Sequence, residues 1–273
     1  MIAERPPVIT WIEATPGDPA LAGTWTMLAE EVEKLARGRA VTRLRHVAIG
    51  AGGIRTAPNR LMSDAAILAA ALESDDDSDA MVIGCWGAPT EVVRAAVASP
   101  LTSLPDGSVR AVASLARRAV LVTVSPTLVP LFADDLRRLG ASGFLETAPV
   151  RACDPESTPG DVLEAVTDPE ALIARFDAVA QGAVRDGADA IVVGCGYLAP
   201  IFTRHGYTHV AGHPDVPVLD CNRLAFEHAL LLLELARAGI APTPRGYVRP
   251  RGDRDVALRA AAASLTSARK DHP

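Results

Sequence analysis

Two cysteines stand at equivalent positions of a sequence pattern that the chain uses twice. Segments 79–85 (Asp-Ala-Met-Val-Ile-Gly-Cys) and 189–195 (Asp-Ala-Ile-Val-Val-Gly-Cys) each run from an aspartate through apolar residues to a glycine and a cysteine. Such a short, apolar, β-branched run is typical of a strand buried on both faces of a parallel sheet. Cys85 and Cys195 therefore fall at the carboxyl ends of two strands, the edge at which open α/β sheets bind ligands.

The repeated pair of thiols predicts a specific kind of chemistry. A single buried cysteine is usually a packing residue, but backbone N–H groups and helix N-termini lower the pKa of a thiol and make it a usable base. A thiolate and a thiol on opposite sides of an acidic C–H remove a proton from one face and deliver one to the other, which inverts the carbon without a cofactor. Backbone N–H groups within 84–87 and 194–197 are candidate donors to the enolate oxygen that forms.

The spacing of the two copies, 195 − 85 = 110 residues, predicts two similar α/β halves, each the size of a small domain. We expect the first half to comprise residues 1–116 plus 222–273 and the second to comprise 117–221. The leucine-rich helix 223–238 then returns the chain to the first half.

Hydrophobic periodicity and turn residues predict the other elements of each half. Residues 101–107 are expected to form a connection and 108–118 a helix, and a terminal helix is expected over 257–270. Strands are expected at 7–12, 41–49, 119–124, 143–150 and 216–220, in addition to the two repeated runs.

Composition excludes several classes of partner. The chain has 273 residues, 49% hydrophobic and 22% charged, which is ordinary globular composition. Its net charge is −6, and no basic cluster with interleaved aromatic residues occurs, so we expect no nucleic-acid partner. The apolar runs are too short to span a bilayer, and the start of the chain lacks a secretion signal. We expect a cytoplasmic protein that forms a homo-oligomer, acts on a small molecule and has no membrane partner.

No residue pattern in the chain predicts a metal or an organic cofactor. The four cysteines form no C-x-x-C pair, and glycines interrupt the run of His205, His209 and His213, which we expect to be surface residues. The two lysines, Lys34 and Lys270, lie in a charged helical stretch and in the C-terminal tail, so a Schiff base with pyridoxal phosphate is not expected. No phosphate-binding loop is present.

Several short motifs resemble the aspartate/glutamate/hydantoin racemase superfamily, over about residues 8–238. They are the Cys85 loop with Gly87 and Pro89, the Gly194-Cys195-Gly196 loop, the strand Val218-Leu219-Asp220 before a long helix, and Val122-Thr123-Val124-Ser125 at the start of the second half. The resemblance implies two Rossmann-like parallel-sheet halves with the active site in the cleft between them. It also implies that Cys85 and Cys195 are the catalytic pair and that no cofactor takes part.

Within this superfamily the residues after each cysteine favour the hydantoin and allantoin racemase branch. Amino-acid racemases carry Asn-Thr and Thr-His at these places, whereas this chain has Trp86-Gly87 and Gly196-Tyr197. The loop Trp86-Gly87-Ala88-Pro89 is similar to the Phe-Gly-Asp-Pro loop of that branch. The predicted substrate-binding residues are Thr15, Trp86, Gly87, Thr123, Ser125, Gly196 and Tyr197.

Other interpretations stay open at the level of sequence. Thr123 and Ser125 are suited either to capping a turn or to donating to a substrate carbonyl or carboxylate. Cys153 and Cys221 have no repeat partner and are expected to be structural. The alternatives to a hydantoin-type racemase are an Asp/Glu-type amino-acid racemase, an enzyme similar to maleate isomerase or arylmalonate decarboxylase, and a non-catalytic binding protein.

Overall fold

A computed structural model of the chain describes residues 5–51 and 53–267, in which nearly every strand is followed by a helix. The first part contains β1 (Val8–Glu13), α1 (Ala22–Ala36), β2 (Val41–His46), α2 (Ala57–Ser74), β3 (Ala80–Ile83), α3 (Thr90–Arg94), β4 (Leu101–Ser103) and α4 (Leu104–Leu115). The second part contains β5 (Ala119–Thr123), α5 (Val129–Arg138), β6 (Val150–Ala152), α6 (Pro159–Glu164), α7 (Glu170–Arg185), β7 (Ala190–Val193), α8 (Leu198–Arg204), β8 (His209–Val210), β9 (His213–Leu219), α9 (Cys221–Arg237) and α10 (Asp253–Ser267).

The strands form two sheets with the same order. The first sheet has the order β2-β1-β3-β4, and all of its pairs are parallel. The second has the order β6-β5-β7-β9-β8, in which only β8 runs antiparallel to its neighbour. Apart from this added edge strand, the second sheet repeats the first. The expected α/β fold with two related parallel-sheet halves is confirmed.

The chain divides into two compact units. Unit 1 comprises residues 5–17, 32–51, 53–103 and 226–267, and unit 2 comprises 18–31 and 104–225. The expected boundary after residue 116 falls later than this one, because α4 belongs to unit 2. Its Gly107 lies so close to the backbone of Ala225 that no larger residue would fit.

The repeated runs form the central strands of the two units. All four residues of β3 and all four of β7 are buried, as expected for strands covered on both faces. In unit 1, one side of β3 packs against the apolar face of α2, where Ala66, Ile67 and Ala70 are buried. Burial of each large aliphatic side chain contributes roughly 1.5–3 kcal/mol, so these contacts hold the strand ends in place.

Two local expectations are wrong. The segment 143–150 is not a strand: Gly143 and Ala148 have positive φ, only one bridge joins Phe144 to Ala119, and pairing resumes at β6. The segment 101–107 is not a connection, because β4 pairs with β3 and α4 follows at once. A proline is tolerated in the first turn of a helix, so Pro105 does not prevent this early start.

The C-terminal helix α10 packs on α2 within unit 1. It begins earlier than expected, at Asp253, and the last part of the expected helix, with Lys270, lies outside the described residues. Of the helices in residues 5–51 and 53–267, none combines the length and the apolar character that crossing a lipid bilayer requires.

Candidate active site

In unit 1, Cys85 lies at the carboxyl edge of the sheet. The N–H of Gly84 donates to the carbonyl of Ile12 at 2.8 Å, which extends the pairing of β3 with β1 by one residue. Cys85 follows directly, half-buried and not in a disulfide, with its side chain packed against the apolar cluster under α2. The predicted position of Cys85 at a strand end is therefore correct.

A buried carboxylate lies beside this cysteine loop. Glu13 ends β1, its side chain is in the interior with 2% exposure, and it accepts a hydrogen bond of 2.7 Å from the indole Nε1 of Trp11. A Cβ at residue 84 would overlap both the Trp11 indole and the Glu13 carboxylate. Glycine is required at Gly84 because the carboxylate packs directly on the backbone that precedes Cys85.

The residues after Cys85 turn the chain into α3. Trp86 and Gly87 are buried, and Thr90 begins the helix with its hydroxyl donating to Ser103 Oγ at 2.6 Å. Thr15 is half-buried on the neighbouring loop after β1, where its carbonyl contacts His46 Nδ1 at 3.1 Å. The edge of this sheet thus brings together four of the predicted site residues: Thr15, Cys85, Trp86 and Gly87.

Unit 2 builds the same backbone around Cys195. The N–H of Gly194 donates to the carbonyl of Val122 at 2.8 Å, and half-buried Cys195 follows. The carbonyl of Cys195 accepts the N–H of Ala199 at 3.2 Å, which joins the loop to α8. A Cβ on Gly194 would come within 2.9 Å of the Val122 carbonyl, so the glycine is again required by close packing.

Thr123 occupies in unit 2 the position that Glu13 occupies in unit 1. It ends β5, is fully buried, and its hydroxyl has no hydrogen-bond partner among the described residues. A buried polar group without a partner is rare in folded proteins and is expected where a ligand supplies the partner. The role of Thr123 as a donor to a substrate stays a prediction, and its unpartnered hydroxyl is compatible with that role.

Ser125 behaves differently from Thr123. Its hydroxyl donates to Glu156 and accepts from the N–H of Thr127 at 3.4 Å, which caps the short turn before α5. Of the two interpretations left open by the sequence, the structure favours the cap for Ser125.

A side chain at the start of α9 holds the loop after Cys195. Asn222, in the first turn of α9, has 1% exposure and donates from Nδ2 to the carbonyl of Gly196 at 2.8 Å. Gly196 is buried and Tyr197 is half-buried before α8 begins. Unit 2 thus brings together the remaining predicted residues: Thr123, Ser125, Cys195, Gly196 and Tyr197.

The other two cysteines are buried in unit 2. Cys153 follows β6, and burial raises the pKa of its thiol to about 11, against an opposing effect of Arg175. Burial also raises the pKa of Cys221 well above its ordinary value, and electrostatic interaction with the ionisable groups of Asp220 and Cys195 acts in the same direction. Both thiols stay neutral near pH 7, which suits the structural role expected for them.

Sequence reasoning missed two residues at these edges. Glu13 is the acidic end of an apolar run, a signal for a side chain at a strand's carboxyl edge. Asn222 is a polar residue directly after the last strand of unit 2, which is the same signal. No group of three or more His, Cys, Asp or Glu side chains within residues 5–51 and 53–267 has an arrangement suited to a metal ion. His205 and His209 are exposed and His213 is half-buried.

Two solved allantoin racemases have the same fold. The enzyme from Pseudomonas fluorescens superposes with a TM-score of 0.68 at 22% identity, covering 90% of this chain and 98% of that chain. The enzyme from Klebsiella pneumoniae gives a TM-score of 0.70 at 19% identity, covering 90% and 94%. An aspartate racemase homologue from Pyrococcus horikoshii gives 0.53 at 13% identity, covering 83% and 98%. At these identities the likeness establishes the fold.

A comparison with the sequences of curated proteins gives no match. The family model for Asp/Glu/hydantoin racemases matches residues 25–229, which is well over half of the chain. This match confirms the expected class of enzyme, an isomerase of the racemase type. It spans both cysteine loops. The chain therefore belongs to the Asp/Glu/hydantoin racemase family.

Proposed function

We propose that the protein is a cofactor-independent racemase of a hydantoin-type carbon acid, with Cys85 and Cys195 as its acid and base. The observation that carries this proposal is the repeated placement of the two thiols. Each follows the third strand of a sheet with the same strand order, directly after a glycine that is paired to the neighbouring strand. Two half-buried thiols at such edges are suited to proton transfer at carbon.

The proposed reaction needs only the two thiols and hydrogen-bond donors. One cysteine, as thiolate, takes the proton from a carbon next to a carbonyl group, and the electron pair moves to the carbonyl oxygen as an enolate. The other cysteine, as thiol, gives its proton to the opposite face of the carbon and becomes the thiolate. Donors at the strand ends, with Thr123 among them, stabilise the enolate oxygen.

The side chains after the cysteines favour a cyclic, less polar substrate over a free amino acid. An amino acid requires polar partners for its ammonium and carboxylate groups, and Trp86-Gly87 and Gly196-Tyr197 offer an indole, a phenol and two glycines instead. The half-buried ring of Tyr197 is suited to the flat face of a ring such as hydantoin, while the buried Trp86 adds apolar surroundings. Allantoin, the substrate in the names of two enzymes with this fold, contains that ring.

The test is a panel of single enantiomers followed by chiral chromatography. We expect inversion of allantoin or of a 5-substituted hydantoin well above the uncatalysed rate, and none of aspartate or glutamate. Dialysis against a chelator should leave turnover intact, because the proposed chemistry uses thiols alone. Inversion of aspartate or glutamate alone would replace this proposal by the amino-acid racemase. Cytoplasmic location and homo-oligomeric assembly stay predictions.

A further inference from the structure

The starting observation is how firmly the first turn of α9 is held. Asp220 Oδ1 accepts the N–H groups of Asn222 at 2.8 Å and of Arg223 at 3.1 Å, and its Oδ2 accepts the hydroxyl of Thr203 at 3.0 Å. The two bonds from backbone N–H groups cap the helix and fix the backbone from which the Asn222 side chain projects.

Both ends of the Asn222 amide have partners. Nδ2 donates to the Gly196 carbonyl at 2.8 Å, and Oδ1 accepts from Cys221 Sγ at 3.6 Å. A carbonyl oxygen can only accept, so the orientation of the amide is determined by its surroundings. A fully buried amide in this arrangement has a single position, and Gly196 is held by it.

The bond to Gly196 sets the direction of a peptide plane. In a trans peptide the C=O of one residue and the N–H of the next point in opposite directions. The Gly196 carbonyl points at Asn222, so the N–H of Tyr197 points away from Asn222. Glycine has no Cβ to restrict its backbone, and a glycine peptide without such a bond would rotate readily.

The residue that is equivalent to Asn222 by strand register cannot make this bond. Ser103 of β4 pairs with the last residue of β3. If the pairing of β9 with β7 is continued by one residue, Asp220 lies opposite the last residue of β7, so Ser103 and Asp220 are equivalent. Counting two residues on, the place of Asn222 is taken by Pro105. Proline has no side-chain donor, so the repeated backbone does not reproduce the bond at this place.

We propose that Asn222 is a positioning residue for the Cys195 loop. By holding the Gly196 carbonyl, it directs the N–H of Tyr197 toward the oxygen of the enolate that forms as Cys195 exchanges a proton with the substrate. This inference rests on the proposed function. Donors aimed at developing charge act mainly in the transition state, so their loss lowers kcat more than it raises KM.

The test compares Asn222→Ala and Asn222→Asp with the matched control Thr203→Val, using one enantiomer of allantoin as the probe. Thr203→Val removes a hydrogen bond at the same helix start but leaves the Gly196 carbonyl held. We expect Asn222→Ala to lower kcat about 10- to 100-fold with KM within about 3-fold of wild type, and Thr203→Val to change both by less than about 2-fold. Rates are normalised to the folded fraction.

The Asn222→Asp variant adds a pH dependence of kcat to the test. It also replaces Asn222→Ala if that variant does not fold. A protonated carboxyl can donate to the Gly196 carbonyl and a carboxylate cannot. The kcat of Asn222→Asp relative to wild type should therefore rise as pH falls from 8 to 6. Wild-type kcat in Asn222→Ala, an effect on KM alone, or an equal loss in Thr203→Val would overturn the inference while the proposed function stands. A wild-type enzyme that inverts no hydantoin would remove the proposed function first.

Discussion

The carboxyl edges of the two sheets share one backbone and differ in side chains. In unit 1 the N–H of Val47 donates to the Glu13 carbonyl at 3.2 Å, and in unit 2 the N–H of Cys153 donates to the Thr123 carbonyl at 2.9 Å. These bonds establish the equivalence of Glu13 with Thr123. A carboxylate therefore packs against the loop of Cys85, whereas a neutral hydroxyl occupies the same position near Cys195.

The comparison teaches that the two thiols are not interchangeable. A nearby negative charge disfavours the thiolate, since like charges repel most strongly where water is excluded. We expect removal of the Glu13 charge to favour ionisation of Cys85, whereas the equivalent change at Thr123 alters no charge near Cys195. The repeated backbone provides the two positions, and the side chains at the strand ends set the difference between them.

The largest expected effect comes from removing either thiol. Cys85→Ser and Cys195→Ser should each lower the rate of inversion by at least about 10³-fold, because a serine hydroxyl is too weak an acid to ionise near neutral pH. Chiral chromatography measures inversion, and proton NMR in deuterated water measures exchange with retention by the remaining thiol. Full activity in Cys85→Ser would favour a one-cysteine mechanism of the decarboxylase type.

Alkylation should separate the site thiols from the structural ones. With a pKa of about 11, Cys153 loses its proton only as pH rises towards 11. At pH 8 its thiolate fraction is about 100-fold below that of a thiol with an ordinary pKa. Iodoacetamide at pH 8 should modify Cys85 and Cys195 and spare Cys153 and Cys221, as peptide mass spectrometry would record. Modification of Cys153 at the same rate as Cys195 would contradict the raised pKa of the buried Cys153 thiol.

The two glycines before the cysteines should differ in their tolerance of a methyl group. At Gly84 the new Cβ meets the buried Trp11 and Glu13 side chains, whereas at Gly194 it approaches the Val122 carbonyl at 2.9 Å and Leu121 Cδ1 at 3.1 Å. Overpacking of a core costs about 1–3 kcal/mol, and we expect Gly84→Ala at the upper end and Gly194→Ala at the lower. Urea unfolding measures the free energy of unfolding of both variants. A larger loss in Gly194→Ala than in Gly84→Ala would contradict the close packing of Glu13 on Gly84.

The smallest expected effect tests the charge difference directly. Glu13→Gln keeps an acceptor for Trp11 and removes the charge, so alkylation of Cys85 at pH 7.5 should become about 3- to 10-fold faster. Thr123→Val, the equivalent change in unit 2, alters no charge and should leave the alkylation of Cys195 within about 2-fold of wild type. Equal rates for Cys85 in wild type and Glu13→Gln would mean that Glu13 carries no charge there.

The sequence predicted the strands that carry the cysteines because each is a compact apolar run between an aspartate and a glycine. It did not predict β4 or β6, which have only three residues each and offer too little periodicity. The roles of Glu13 and Asn222 depend on contacts between residues distant in the chain, such as Asn222 with Gly196, and no local pattern contains them. Ser125, by contrast, followed the capping pattern that its neighbours Pro126 and Thr127 indicate.

The most direct test of the central claim is wild-type turnover in deuterated water, starting from one enantiomer of allantoin or of a 5-substituted hydantoin. The thiol that protonates carbon has exchanged with solvent, while the opposing thiolate removes the substrate's own hydrogen. Early in the reaction, deuterium should therefore appear mainly in the product enantiomer, with the remaining substrate still carrying hydrogen. Equal labelling of both enantiomers from the start would indicate a single base and contradict the two-cysteine account.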